Sequence, residues 1–354
     1  MILAAGYGTR LWPLTVDRTK PAIPFLGKPL VGYVAEYLGR HGCRDVVVNL
    51  HHQPDSVRAA LGDGSRFGVR LDYIFEETIL GTSGALDNAR HLLEDDTFFV
   101  VNGKIVTDID LSRALETHRR TNALATLVLL PNVRRERFSV VETTGDGRIL
   151  RFGGMPDPSD DEKNVPLMFT GIQILEPRIF DYIPRGRFSH STTDVYPQAI
   201  ARNERVMAHV ATGRWYELST IPRYLDISLA LMRDEGRDVE AGENCAIHPG
   251  AGVSESVLWD DVTIEEGARV RRAVLGDGVR IPAGEVLENA AAVRAELVRD
   301  PFSRRNLQGY IFQTGQPAEV REAFLAAMGF TEAELTPGAG PFDPLAPAAA
   351  SPAR

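Results

Sequence analysis

Residues 247–284 repeat with a step of 17. Ile247-His248-Pro249-Gly250-Ala251-Gly252-Val253 is matched by Ile264-Glu265-Glu266-Gly267-Ala268-Arg269-Val270, and a third copy begins at Ile281-Pro282-Ala283-Gly284. Between them, Val257-Leu258-Trp259-Asp260-Asp261-Val262 is matched by Val274-Leu275-Gly276-Asp277-Gly278-Val279. A period this short, with aliphatics facing inward and glycine at the corners, predicts stacked β-coils that bury their apolar residues against one another. Three coils make a short stack whose ends need covering. The covers available are the preceding domain, a partner subunit, or a tail helix over residues 318–328.

Upstream the pattern changes. Met1-Ile2-Leu3-Ala4, Val46-Val47-Val48-Asn49-Leu50 and Phe98-Phe99-Val100-Val101 read as short buried strands bounded by turn or charged residues. Further strands are predicted over 125–130, 139–142 and 171–175. Residues 30–41 and 54–61 carry helical spacing, and 218–233 reads as a helix capped by Ser219 or Thr220 with Pro222 in its first turn. Strands alternating with helices predict an α/β domain, a Rossmann-like, mostly parallel sheet with helices on both faces. The expected division is 1–235 for this domain, 240–292 for the coils, 293–335 for a helical extension, and 336–354 for a disordered Pro/Ala/Gly-rich tail. A Pro/Asp-rich loop over 155–164 is expected to close over one edge of the site.

The net charge of −9 argues against a nucleic-acid partner, which needs a basic surface. Arg134-Arg135-Glu136-Arg137 reads as solvated loop charge. Cys43 and Cys245 are the only cysteines, too few for a disulfide framework or a metal knuckle. No stretch approaches the roughly 20 apolar residues of a membrane span, and glycines and an arginine interrupt the N-terminal apolar run. A cytoplasmic protein is expected.

The chemistry concentrates early. Gly6 and Gly8 follow directly on the first strand, where the backbone can turn tightly and aim N–H groups at an anion. Arg10 adds a bidentate phosphate donor and Lys20 a second cation. This is not a Walker loop, because Gly-Lys-[Ser/Thr] is missing, nor the dinucleotide fingerprint, because the third glycine is missing. On the glycines alone, a plain strand-to-helix turn is the competing reading.

The longer string decides between them. Leu3-Ala4-Ala5-Gly6-Tyr7-Gly8-Thr9-Arg10-Leu11-Trp12-Pro13-Leu14-Thr15, then Lys20-Pro21, then Gly27-Lys28-Pro29-Leu30, closely resembles the opening signature of sugar-nucleotide pyrophosphorylases. These nucleotidyltransferases join a sugar 1-phosphate to an NTP and release pyrophosphate. The resemblance continues through Leu80-Gly81-Thr82-Ser83-Gly84-Ala85-Leu86, Val101-Asn102-Gly103, Thr107 to Leu111, Thr170-Gly171-Ile172, Asp194 to Pro197 and Trp215-Tyr216-Glu217. The repeat resembles the left-handed β-helix tail of many members.

The resemblance implies roles residue by residue. Backbone at Leu3, Ala4, Ala5, Gly6, Gly8 and Thr9 would hold the nucleotide, with Gly81, Thr82, Asn102 and Gly103. Arg10 would bind the β- and γ-phosphates, and Lys20 the α-phosphate. Gly154, Thr170 and Gly171 would face the sugar. The Gly-Thr-Ser-Gly loop is closest to guanylyl- and uridylyl-transferring members, so GTP and mannose 1-phosphate are the expected pair. A homo-oligomer through the β-helix, or a complex with an active paralogue, is implied.

The departures from the family also concentrate at the chemistry. The family usually reads Asn-Gly-Asp, with the aspartate on a catalytic Mg²⁺; here residue 104 is Lys. The usual Trp-x-Asp becomes Trp215-Tyr216-Glu217, and Phe-x-Glu-Lys-Pro becomes Phe152-Gly153-Gly154-Met155-Pro156. Three readings follow. In the first, Lys104 is a catalytic cation taking over part of the metal's work, with Asp108, Asp110 or Glu217 holding any remaining Mg²⁺. In the second, transfer is largely lost and the chain is a nucleotide- or nucleotide-sugar-binding regulatory subunit. In the third, Lys104 points elsewhere and is salt-bridged to Asp108 or Asp110. His51-His52 is a poor metal pair, because neighbouring strand residues face opposite sides. His118 and His190 are expected to be structural or surface residues.

Overall fold

The structure, a computed structural model, describes residues 1–156 and 165–297, and the backbone of 309–313. The described residues form two compact units: 1–6 with 30–216, and 7–29 with those from 217 onward.

The first unit is organised by one sheet. Ile2–Leu3 lies parallel to Asp45–Leu50 on one side and to Phe98–Asn102 on the other. Arg70–Phe75 extends the parallel set beyond Asp45–Leu50. Leu167–Leu175 then runs antiparallel to Phe98–Asn102, and Ala125–Pro131 and Val140–Thr143 both pair antiparallel with it. Val206–Val210 lies parallel to Ala125–Pro131. The sheet is therefore mostly parallel around its first strand and mixed beyond Phe98–Asn102. Its central strands are continuous apolar runs because both faces are covered. Val46, Val48, Val100 and Val101 are all buried.

The covering helices follow local rules. Leu30–Arg40 buries Leu30, Val31, Val34, Ala35, Tyr37 and Leu38, the wide apolar stripe of a helix packed on a sheet. Pro54–Leu61 has proline in its first turn and stops at Gly62. Leu111–Thr121 is capped by Asp110, whose Oδ1 accepts the Ser112 N–H at 2.9 Å, and ends on Asn122 in the left-handed region.

In the second unit, Ile221–Asp234 begins at Thr220, whose Oγ1 accepts the Arg223 N–H at 3.4 Å. This is one of the two caps expected from the sequence. The coils then stack. Val239–Ala241, Ser256–Leu258, Arg269–Leu275 and Val286–Arg294 run parallel in one sheet. Ala246–Ile247, Thr263–Ile264 and Arg280–Ile281 form another. Ile247 sits on Ile264 and Ile264 on Ile281, so the 17-residue step of the sequence is the register of the stack. Leu258, Val262, Ile264, Val270, Leu275, Val279 and Ile281 fill the interior. The corners repeat too: Asn244, Asp261 and Gly278 have φ of 56°, 59° and 66°.

The expected helical extension from 293 is corrected where it is described. Val293 and Arg294 complete a strand, Ala295–Leu297 is a 3₁₀ turn, and Gly309–Gln313 is a strand antiparallel to Val286–Arg294. The alanines at 290–292 keep this last coil in the sheet ladder, and Ala290, Ala291 and Ala292 are buried. The expected helix at 318–328, the tail from 336 and residues 157–164 of the Pro/Asp-rich loop lie outside the described residues. Among the described residues, no helix is long and apolar enough to cross a membrane.

Candidate active site

The parallel strands Ile2–Leu3, Asp45–Leu50 and Phe98–Asn102 end side by side, the position where open α/β sheets bind ligands. Leu3 pairs with Asn49 and with Asn102. The Gly103 N–H donates to the Leu3 carbonyl at 2.9 Å, and a Cβ at Gly103 would lie 2.9 Å from that oxygen. The Asn102-Gly103-Lys104 turn is thus seated on the start of the signature, and glycine is required for the approach.

A buried polar chain ties Ala4 to the Gly81 loop. The Ala4 N–H donates to Asn49 Oδ1 at 2.7 Å, Asn49 Nδ2 donates to Glu76 Oε1 at 2.7 Å, and the Leu80 N–H donates to Glu76 Oε2 at 2.9 Å. Asn49 and Glu76 are buried. Burial pushes the Glu76 carboxyl above the usual range, opposed by its bonds from Asn49 and Leu80. His51 Nδ1 lies 2.8 Å from the Glu76 carbonyl, an anchoring contact. The sequence reading missed Asn49 and Glu76. Their signal was a single polar residue inside a buried apolar strand and an acid at the end of another.

The Gly81 string, read as a loop, is a helix, Gly81–Asn88. Its start is fastened to residues 187–191. The Ser191 N–H donates to Thr82 Oγ1 at 2.8 Å, and Ser83 Oγ bonds Ser189 Oγ at 2.8 Å. A Cβ at Gly81, where φ is +75°, would lie 2.5 Å from the Ser189 carbonyl, and one at Gly84 would lie 2.5 Å from the Arg187 carbonyl. His190, expected to be structural, lies with its Nδ1 3.4 Å from the Thr82 nitrogen.

Asn102 packs against Gly171, next to Thr170. Gly171 has φ +81°, and a Cβ there would lie 2.2 Å from Asn102 Nδ2. Thr170 Oγ1 donates to the Val128 carbonyl at 2.7 Å, and the Trp215 indole N–H donates to the Thr170 carbonyl at 2.9 Å. Gly154 lies on an exposed turn, its carbonyl accepting the Val140 N–H at 3.2 Å.

The other half of the signature belongs to the second unit, since the chain passes from one to the other between Gly6 and Tyr7. There Gly8, at φ +69°, opens a 3₁₀ turn over Thr9–Leu11. A Cβ on Gly8 would lie 3.0 Å from Lys20 Cβ and 3.2 Å from Thr15 Cγ2. Glycine at 8 is what lets Lys20 pack against the turn. Thr15 Oγ1 donates to the Gly8 carbonyl at 3.2 Å. Lys20 is buried and Arg10 exposed, and Leu11, Leu14, Ile23 and Phe25 of the same segment are buried. Arg10 and Lys20 are thus presented differently, one reaching into solvent and one fixed.

Of the three carboxylates expected to hold Mg²⁺, Asp108 and Asp110 are already engaged. Asp108, expected as a ligand, has both oxygens engaged by Arg214: Oδ1 accepts the backbone N–H at 2.6 Å and Oδ2 accepts Nε at 2.8 Å. The pair closes on Gly213, whose φ is +133°. Asp110 is a helix cap. Glu217 is buried, with its carbonyl accepting Arg223 Nε at 3.1 Å. Among the described residues, no three His, Cys, Asp or Glu side chains are grouped as an all-protein metal site. Residue 104 offers an ammonium where the resemblance implies a ligating carboxylate.

Residues 1–234 match the Nucleotidyl transferase family, and residues 239–294 match the GlmU-like, C-terminal hexapeptide family. The chain belongs to the nucleotidyl transferase family and is built as a sugar-1-phosphate nucleotidyltransferase, its coils being a short left-handed β-helix. It is 32% identical over 280 residues to a UTP–glucose-1-phosphate uridylyltransferase of Synechocystis sp., covering 75% of this chain and 71% of that one. It is 31% identical over 264 residues to a mannose-1-phosphate guanylyltransferase of Mycobacterium tuberculosis, covering 73% and 72%. The fold is shared with HddC from Yersinia pseudotuberculosis at a TM-score of 0.55 and 23% identity, over 63% of this chain and 94% of that one.

Proposed function

We propose that this chain transfers a guanylyl group from GTP to mannose 1-phosphate. A sugar-phosphate oxygen attacks the α-phosphorus in line, a P–O bond forms, the bond to the bridging β-phosphate oxygen breaks, and pyrophosphate leaves. No side chain becomes covalently attached. The protein's contribution is positioning and fixed positive charge. In this reading Leu3 to Gly6, Gly8, Thr9, Gly81, Thr82, Asn102 and Gly103 hold the nucleotide. Arg10 takes the leaving phosphates, buried Lys20 the α-phosphate, and Thr170 and Gly171 the sugar. Lys104, next to the Gly103 that bonds Leu3, supplies a compact single charge.

The observation that carries the reading is the Ala4–Asn49–Glu76–Leu80 chain of hydrogen bonds. It fixes the start of the signature and the Gly81 helix relative to each other, as recognition of one nucleotide by both would need. The named relatives are all transferases, which favours catalysis over a regulatory role. GTP and mannose 1-phosphate rest on the Gly-Thr-Ser-Gly string and on the guanylyltransferase relative. The test is a grid of five NTPs against several sugar 1-phosphates, with and without Mg²⁺, read by mass detection of the nucleotide sugar. GDP-mannose as the main product is expected. A different main product would replace the substrate assignment, and no product from any pair would refute transfer. An oligomer through the β-helix is part of the proposal and is read by sedimentation at micromolar concentration.

A further inference from the structure

In the coil register, residues 242, 259 and 276 occupy the same corner one step apart. Two are glycines and the middle one is Trp259. The coil has little room for a side chain there. A Cβ at Gly242 would lie 2.8 Å from the Trp259 carbonyl carbon, and one at Gly276 would lie 3.2 Å from Val293 Cγ1. The stack does not need an indole, and Trp259 is nonetheless buried. Besides the coil, it contacts the 7–29 segment and the Ile221–Asp234 helix.

The Arg18 guanidinium lies over the Trp259 ring, 5.0 Å from its centroid. Arg18 is held from two sides, by Asp17 at 3.0 Å and by a short ion pair with Asp277 of the next corner. The other Asp277 oxygen accepts the Asp260 N–H at 3.2 Å, so the coil orients the carboxylate. At the indole's edge, Trp259 Nε1 donates to Tyr224 Oη at 3.1 Å, and that hydroxyl donates to the Pro24 carbonyl at 2.7 Å. Phe25 packs edge-on against Tyr224, with ring centroids 5.9 Å apart. The coil therefore holds the segment directly at Arg18 and, through Tyr224 of the Ile221–Asp234 helix, at Pro24 and Phe25. Between the two grips lies the 3₁₀ turn Lys20–Ala22, which carries buried Lys20.

We infer that Asp277 and Trp259 of the β-helix are positioning residues for nucleotide binding, acting through Arg18 on the turn that carries Lys20. The inference rests on the reading of residues 7–29 as a phosphate-binding loop. It gives the β-helix a task in the reaction: a change in the coil stack alters the set of Lys20 and so the affinity for the NTP. The sugar phosphate is held by other residues in this reading and is unaffected.

The test uses the full chain and its Arg18→Gln, Asp277→Asn, Arg18→Gln/Asp277→Asn and Trp259→Phe variants. Each is titrated with a fluorescent GTP analogue for Kd, assayed for the KM of both substrates, and melted for its unfolding midpoint. Each single variant is expected to weaken nucleotide binding about three- to thirtyfold, the range of positioning effects carried through packed contacts. The double variant should be no weaker than the worse single, because the pair acts as one unit. The KM for the sugar phosphate should stay near wild type in every variant, and the unfolding midpoint in Arg18→Gln and Asp277→Asn. Unchanged nucleotide Kd in well-folded Asp277→Asn and Trp259→Phe would overturn the inference. So would an equal rise in the KM for the sugar phosphate, which marks general loosening. A wild type that binds the nucleotide without turnover ends the transferase reading and leaves this test intact. One that binds no nucleotide ends both.

Discussion

The two units use left-handed backbone for opposite purposes. In the sheet unit, Gly81, Gly171 and Gly213 sit at positive φ with another group packed where a side chain would be: the Ser189 carbonyl, Asn102 and Asp108. Each is a single close approach between distant parts of the chain. In the β-helix the same backbone region recurs every 17 residues, at Asn244, Asp261 and Gly278 and again at Glu255, Arg272 and Asn289. There it only turns a corner, and side chains up to the size of arginine are accommodated. Crowded glycines such as these thus mark where distant parts of the sheet unit close on one another, while the corners of the coil mark only its period.

Substitutions that reverse the two uses should behave differently. Gly171→Ala puts a Cβ 2.2 Å from Asn102 Nδ2 at a φ of +81°. Strain and overpacking together should cost roughly 2–4 kcal/mol, read from the urea midpoint, with loss of transfer activity as Asn102 is displaced. Glu76→Ala leaves the Asn49 amide and the Leu80 N–H without their acceptor, and should cost about 1–3 kcal/mol and raise the KM for the NTP. At the other end of the scale, Asp261→Gly copies what Gly278 does one coil later. It should shift stability by no more than about 0.5 kcal/mol.

Acid should act on the sheet unit between these extremes. Burial holds His118, His209 and His52 below the ordinary histidine value of 6.5. His118 is buried between Thr126 and Glu176, whose carboxylate opposes the shift. Where the folded chain keeps these rings neutral, the unfolded chain takes up protons near 6.5. Their contribution is therefore present above 6.5 and lost as the pH falls toward their folded values. A midpoint that drops between about pH 7 and pH 5, and drops less in His118→Asn, is expected from denaturation series.

What the sequence made legible follows the same division. Periodic features came through to the residue: the 17-residue step is the pairing of Ile247, Ile264 and Ile281. Local rules came through as well, including the buried strand at 46–50 and the Thr220 cap. The crowding partners did not, because they come from far along the chain. Nothing near Gly81 announces Ser189, and nothing near Gly171 announces Asn102. Glu76 lies in no motif, and its role became visible only when Asn49 and Leu80 were placed beside it. The partner of Asp108 was hidden for the same reason, since Arg214, more than 100 residues away, engages both its oxygens. The break in the signature after Gly6, and the tryptophan at a glycine corner, likewise needed the coil to be built.

The most direct measurement of the central claim is the initial rate of pyrophosphate release from GTP and mannose 1-phosphate, in the wild type and in Lys104→Ala. The account predicts steady release matched by nucleotide sugar in the wild type. It predicts a fall of about 100-fold in kcat for the variant, the usual effect of removing one preorganised charge from a transferring group. A wild type that stays silent with every NTP and sugar 1-phosphate pair would contradict nucleotidyl transfer. A Lys104→Ala enzyme as fast as wild type would contradict the role given to that lysine.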